Sequence, residues 1–134
     1  MPPTPADDKL RILVIEDSPV NMALTVAILE NAGHTVLQAD HAMTGIELAR
    51  TEQPDLILMD IQLPDIDGLV ATRLLKSEPR TADIPVIALT AFAMKGDEDE
   101  VRGAGCDGYV TKPIRYKQFL AEVDAVLRRR SETA

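Results

Sequence analysis

Leu56-Ile57-Leu58-Met59-Asp60 is four apolar residues ending in one carboxylate, and Ile61-Gln62-Leu63-Pro64-Asp65-Ile66-Asp67-Gly68 follows with the proline and glycine of a turn. An uninterrupted apolar run of this length, closed by turn residues, reads as a strand buried on both faces. Placing a lone acid at the tip of such a strand is costly unless the acid has work to do there.

The same pattern recurs along the chain. Leu10 to Ile15 and Val86 to Leu89 are nearly continuous apolar runs, while Thr35 to Ala39 and Tyr109 to Thr111 are weaker and belong nearer the sheet edges. Five segments of helical period alternate with them. Ser18-Pro19 reads as an N-cap with proline in the first turn, opening a helix that Gly33 closes, with Val20, Leu24, Ala27 and Ile28 as its apolar face. Further helices are expected near Ala42 to Thr51, Gly68 to Lys76, Met94 to Ala104 and Arg115 to Arg130, the last with Tyr116, Phe119, Leu120, Val123 and Leu127 as its stripe. Strand–helix units with such short connections predict a three-layer α/β/α sandwich with right-handed crossovers. In such folds ligands bind beyond the carboxyl ends of the strands, where the strand order reverses.

With 134 residues the chain suits one domain, expected over residues 10–128 with a flexible lead at 1–9 and a short tail at 129–134. A net charge of -8 argues against nucleic acid or anionic lipid as partners. One cysteine, Cys106, excludes an intrachain disulfide and points to a reducing cytoplasm, and it reads as a small buried filler. No segment approaches the roughly 18 apolar residues of a membrane span, and the N-terminus lacks the features of a secretory signal.

Glu16-Asp17, Asp60, Thr90 and Lys112 all fall at predicted strand carboxyl ends, so residues from distant stretches are expected to meet on one rim. Three carboxylates there repel, each pair by on the order of 4 kcal/mol at about 4 Å and an effective dielectric near 20. A hard divalent cation relieves this, and Mg²⁺ suits a few carboxylates plus a phosphoryl oxygen. Asp60 is then the candidate nucleophile for an acyl phosphate, with Lys112 and the Thr90 hydroxyl placed to contact phosphoryl oxygens.

The residues Glu16-Asp17, Met59-Asp60 through Asp67-Gly68, Leu89-Thr90-Ala91 and Lys112-Pro113 together resemble the receiver domains of two-component response regulators, the CheY-like family, over about Leu10 to Leu127. The resemblance implies a flavodoxin-like fold with a parallel sheet ordered 2-1-3-4-5. It implies that Asp60 takes phosphate from a histidine kinase or histidine phosphotransfer protein. Glu16, Asp17, Asp60 and the Gln62 backbone carbonyl would then hold Mg²⁺, and a cis peptide would precede Pro113. Thr90 and Tyr109 correspond to the family's switch pair, and the face formed by the fourth helix, fifth strand and fifth helix to its output surface, with Met94, Val101, Tyr109 and Tyr116 as contacts. The stretch from Thr90 to Glu98 with Gly105-Cys106 is similar to single-domain receivers of the DivK type, and also to receivers of hybrid kinases. No output domain is expected after the last helix, so signalling would pass through protein contacts; the chain is not expected to be an enzyme beyond its own phosphorylation and slow dephosphorylation.

Other readings of the same architecture fit less well. An FMN carrier would need a Ser/Thr/Gly-rich loop after the first strand, where Glu16-Asp17 would repel the phosphate. An aspartate-nucleophile phosphatase places its general acid two residues on, where this chain has Gln62. A degenerate receiver acting only as a scaffold would not retain competent residues at every principal position. His34 and His41 lack partners at metal spacing and read as surface residues, and Asp97 to Glu100 as a solvated helical turn.

Overall fold

The computed structural model describes residues 10–90, 95–112 and 114–133. Strands β1 (Arg11–Ile15), β2 (Thr35–Ala39), β3 (Leu56–Asp60), β4 (Val86–Thr90) and β5 (Gly108–Thr111) alternate with helices α1 (Pro19–Asn31), α2 (Ala42–Glu52), α3 (Gly68–Ser77), α4 (Lys95–Gly103) and α5 (Tyr116–Thr133). The strands form one parallel sheet ordered β2-β1-β3-β4-β5. The weaker strands are the edges, as their sequences predict.

Side chains alternate across a strand, so the central runs supply both faces. Leu13, Ile15, Ile57, Met59 and Ala88 pack under α2, α3 and α4, against Ala42, Ile46, Ala71, Leu75 and Val101. Ile12, Val14, Leu58, Ile87 and Leu89 pack under α1 and α5, against Ile28, Leu29, Phe119, Val123 and Val126. Cys106 is buried and free.

Three helix details differ from expectation. In α1, Ser18 caps the helix through Asn21 N–H at 3.3 Å, and Gly33 turns the chain at φ 98°, both as expected. Its buried residues, however, are Thr25, Ile28 and Leu29; Val20 and Leu24 are 76% and 43% exposed and Ala27 faces outward. This helix is apolar nearly all round, so period alone does not select the inward face. In α5, Phe119 and Val123 are buried but Tyr116 is exposed, and the helix runs to Thr133. Val101, expected on a contact surface, is 4% exposed and belongs to the core. His34 is not a simple surface residue: its Nδ1 accepts the Leu10 N–H at 3.1 Å, whereas exposed His41 pairs with Asp40. The expected start of α4 at Met94 and the peptide before Pro113 lie outside the described residues.

Gly68 is the tightest point. A Cβ there would collide with the Asp60 carbonyl oxygen and stand 2.8 Å from Ile61 Cα, both rigid backbone. Replacing Gly68 with Ala should therefore cost about 2 kcal/mol in urea denaturation followed by circular dichroism. Gly103→Ala, at a position with nothing within 4 Å, should leave stability unchanged or raise it by up to about 1 kcal/mol.

Candidate functional site

The reversal of strand order lies between β1 and β3, with β2 beyond one and β4 beyond the other. Backbone bonds carry the register past the strand ends: Glu16 N–H donates to Ala39 O at 3.0 Å, Ile61 N–H to Leu89 O at 3.0 Å and Lys112 N–H to Thr90 O at 2.7 Å. Glu16, Asp60, Thr90 and Lys112 thereby share one rim.

Lys112 lies between two enclosed acids. Its Nζ is 2.9 Å from Glu16 Oε1 and 3.2 Å from Asp60 Oδ1. Glu16 and Asp60 are 1% and 3% exposed, and Thr90 is buried at the end of β4. Asp17 is the exposed member of the group. Asp60 Oδ1 also accepts the Gln62 N–H at 3.0 Å, and Glu16 Oε2 the Ser18 N–H at 3.3 Å. Glu16 Oε1 is fully enclosed and, among the described residues, accepts no properly directed hydrogen bond; its contact with Lys112 is one of charge.

Burial and then the neighbouring Glu16 push the Asp60 carboxyl up to about 6, against the pull of the Gln62 N–H and the Lys112 charge. Burial would lower Lys112, but the close carboxylates of Glu16 and Asp60 outweigh it and raise its pKa.

Carboxylate oxygens of Glu16, Asp17 and Asp60 lie within 4.8 Å of one another. An enclosed oxygen with unused acceptor capacity, facing two further carboxylates, is a donor set that fits a hard divalent cation. Beside it opens a cleft of about 390 Å³ lined by Glu16, Asp17, Met22, Gln38, Asp40 and Thr44. Asp40 is an acid that the sequence reading passed over. It follows Ala39 at the carboxyl end of β2, so the strand-end argument that singled out the others applied to it as well.

Thr90 and Tyr109 share a sheet face. Ala88 pairs in register with Tyr109, both pack on the α2–α3–α4 side, and Thr90 is two residues beyond Ala88. Tyr109 is half-buried there, and its N–H donates to Glu122 Oε2 at 3.2 Å.

Residues 12–124 match the response regulator receiver domain family. The chain belongs to that family. Among its relatives, the polar-differentiation response regulator DivK of Brucella anthropi is 42% identical over 116 residues, 87% of this chain and 94% of that protein. The receiver domain of sensor histidine kinase PA1611 from Pseudomonas aeruginosa PAO1, solved with magnesium coordinated in its active-site cleft, is 35% identical. It aligns at a TM-score of 0.78, covering 90% of this chain and 96% of that one. A CheY-like receiver protein from Methanospirillum hungatei JF-1 aligns at 0.83 with 27% identity, covering 92% and 98%. This receiver is thus a component of two-component signalling with the CheY-type fold, and no described helix is long and apolar enough to cross a membrane.

The raised Asp60 pKa has a consequence for stability. Between the ordinary 3.8 and about 6, the folded protein holds a proton that the unfolded chain has released, so stability falls as pH rises through that window. At pH 7 without divalent cation the ionised group costs at most about 3 kcal/mol. Asp60→Asn should therefore be the more stable protein at pH 7 in chelator, with the gap closing toward pH 4; urea curves at the two pH values measure it.

Proposed function

We propose that this receiver accepts a phosphoryl group on Asp60 from a phosphohistidine donor, a histidine kinase or histidine phosphotransfer protein, with Mg²⁺ as cofactor. The observation that carries the reading is the joint enclosure of Asp60 and Glu16 around Lys112, with Asp17 exposed at the same rim. Glu16, Asp17, Asp60 and the Gln62 carbonyl would hold the ion, which supplies charge neutralisation for the incoming phosphoryl group. Asp60 Oδ attacks phosphorus and the donor imidazole leaves. Lys112 is already within reach of Asp60 Oδ1 and offers a positive charge to a phosphoryl oxygen. Thr90, two residues along the same face from the partner of Tyr109, can donate its hydroxyl to a phosphoryl oxygen. The Tyr109 ring would follow inward, behind it.

Phosphorylation in this scheme biases two states that exist beforehand. The surface that would report the change is built from α4, β5 and α5, where Arg115, Tyr116 and Gln118 are exposed. The acyl phosphate is its own slow hydrolysis substrate, and turnover of outside phosphoesters is not expected, since Gln62 supplies no general acid. A cytoplasmic setting suits such a donor and the single reduced cysteine. The same chemistry serves an independent receiver and one carried by a hybrid kinase.

Acetyl phosphate or phosphoramidate with Mg²⁺ should add one phosphoryl group, seen as a single mass increment and absent in Asp60→Ala; equal labelling of both proteins would defeat the proposal. Tyr116→Ala should weaken binding of the phosphorylated chain to its target by about tenfold, a typical loss for an interfacial aromatic, while leaving labelling intact. Unchanged target binding, read by surface plasmon resonance, would remove Tyr116 from the output face.

A further inference from the structure

The segment from Asp60 to Gly68 leads from the acidic site to the start of α3. Its start is fixed by Ile61 N–H to Leu89 O and its end by Gly68 N–H to Ile61 O at 2.8 Å, while Asp67 Oδ1 caps α3 through Leu69 N–H at 2.7 Å. Midway, Asp65 leaves its own loop and reaches another helix. Its Oδ1 accepts the Ala42 N–H and its Oδ2 the Met43 N–H, both at 2.9 Å. These are the first amide groups of α2, whose N-cap residue His41 makes no capping bond with its side chain. A carboxylate from the loop after β3 thus supplies the cap that the local sequence of α2 lacks.

That anchor bears on Gln62. Gln62 N–H is held by Asp60 Oδ1, and only Leu63 and Pro64 separate Gln62 from Asp65. Pro64 has a fixed φ, and Leu63, preceding proline, is confined to extended conformations. Leu63 also packs against the core. Few soft dihedrals remain between the Gln62 carbonyl and the fixed carboxylate.

We propose that Asp65 is a positioning residue for the metal: by tying the loop to the amino end of α2, it holds the Gln62 carbonyl toward the ion shared by Glu16, Asp17 and Asp60. The inference rests on the reading that this cluster binds Mg²⁺. It adds a determinant of metal affinity that touches neither the ion nor the phosphoryl group.

Calorimetric titration of the full chain with MgCl₂ tests it. Asp65→Ala should weaken Mg²⁺ binding by about tenfold, the scale seen when outer supports of metal ligands are removed. Asp65→Asn, which keeps one acceptor oxygen, should fall between and guards against a folding failure of the alanine variant. In acetyl phosphate labelling, the half-saturating Mg²⁺ concentration should rise by the same factor while the rate at saturating Mg²⁺ holds. The decisive protein is His41→Ser combined with Asp65→Ala. A serine at the N-cap restores the capping of α2 without reattaching the loop, so its thermal midpoint should recover while Mg²⁺ affinity stays weak. Recovery of affinity in the double variant, or wild-type affinity in Asp65→Ala, overturns the positioning role. Absence of Mg²⁺ uptake by the wild-type chain overturns the metal reading along with it.

Discussion

An ammonium group held between two enclosed carboxylates governs this receiver. Lys112, at 2.9 Å from Glu16 and 3.2 Å from Asp60, is the positive charge that offsets two carboxylates taken out of water at the end of a buried sheet. Counting Asp17, the rim carries three carboxylates against one cation, leaving two negative charges in excess. A divalent ion matches that excess, and burial followed by the neighbouring Glu16 pushes the Asp60 carboxyl upward. The burial that raises the Asp60 pKa also makes its ionised form destabilising, so the cost of enclosing this acid falls on the fold.

The fold meets that cost with rigidity where the acids are held. β3 and β4 are buried along their whole length, and the main chain continues their pairing through Ile61 and Lys112. Gly68 lets the next helix begin against the Asp60 carbonyl, a contact no other residue permits. Asp65 joins this loop to α2, so β3, α2 and α3 meet in one short stretch of chain. The loop after Asp60 is thereby fixed to two helices on the same face of the sheet that carries Thr90 and Tyr109.

Much of this was legible in the sequence because it is local. The buried central strands are written as unbroken apolar runs, and the edges as weaker ones. Acids, hydroxyl and lysine at the ends of those runs mark the rim in the sequence itself. What sequence patterns could not supply was the choice among equivalent surfaces. An all-round apolar α1 buries Thr25 and leaves Val20 and Leu24 in solvent, and α5 turns Tyr116 outward while α4 turns Val101 in. Asp40 also ends a strand, and its side chain pairs with the adjacent His41 at 2.8 Å, a local contact that gives no sign of the cleft beyond it.

Residue order alone determined the architecture, the strand ends and which side chains could reach them, since period and turn chemistry act over a few residues. Tertiary structure decided the pairings across long separations: Lys112 with Glu16, Asp65 with the amides of α2, Glu122 with the N–H of Tyr109. Those depend on how helices rest on the sheet, and helix placement is set by the packing of the whole core rather than by any one segment of it.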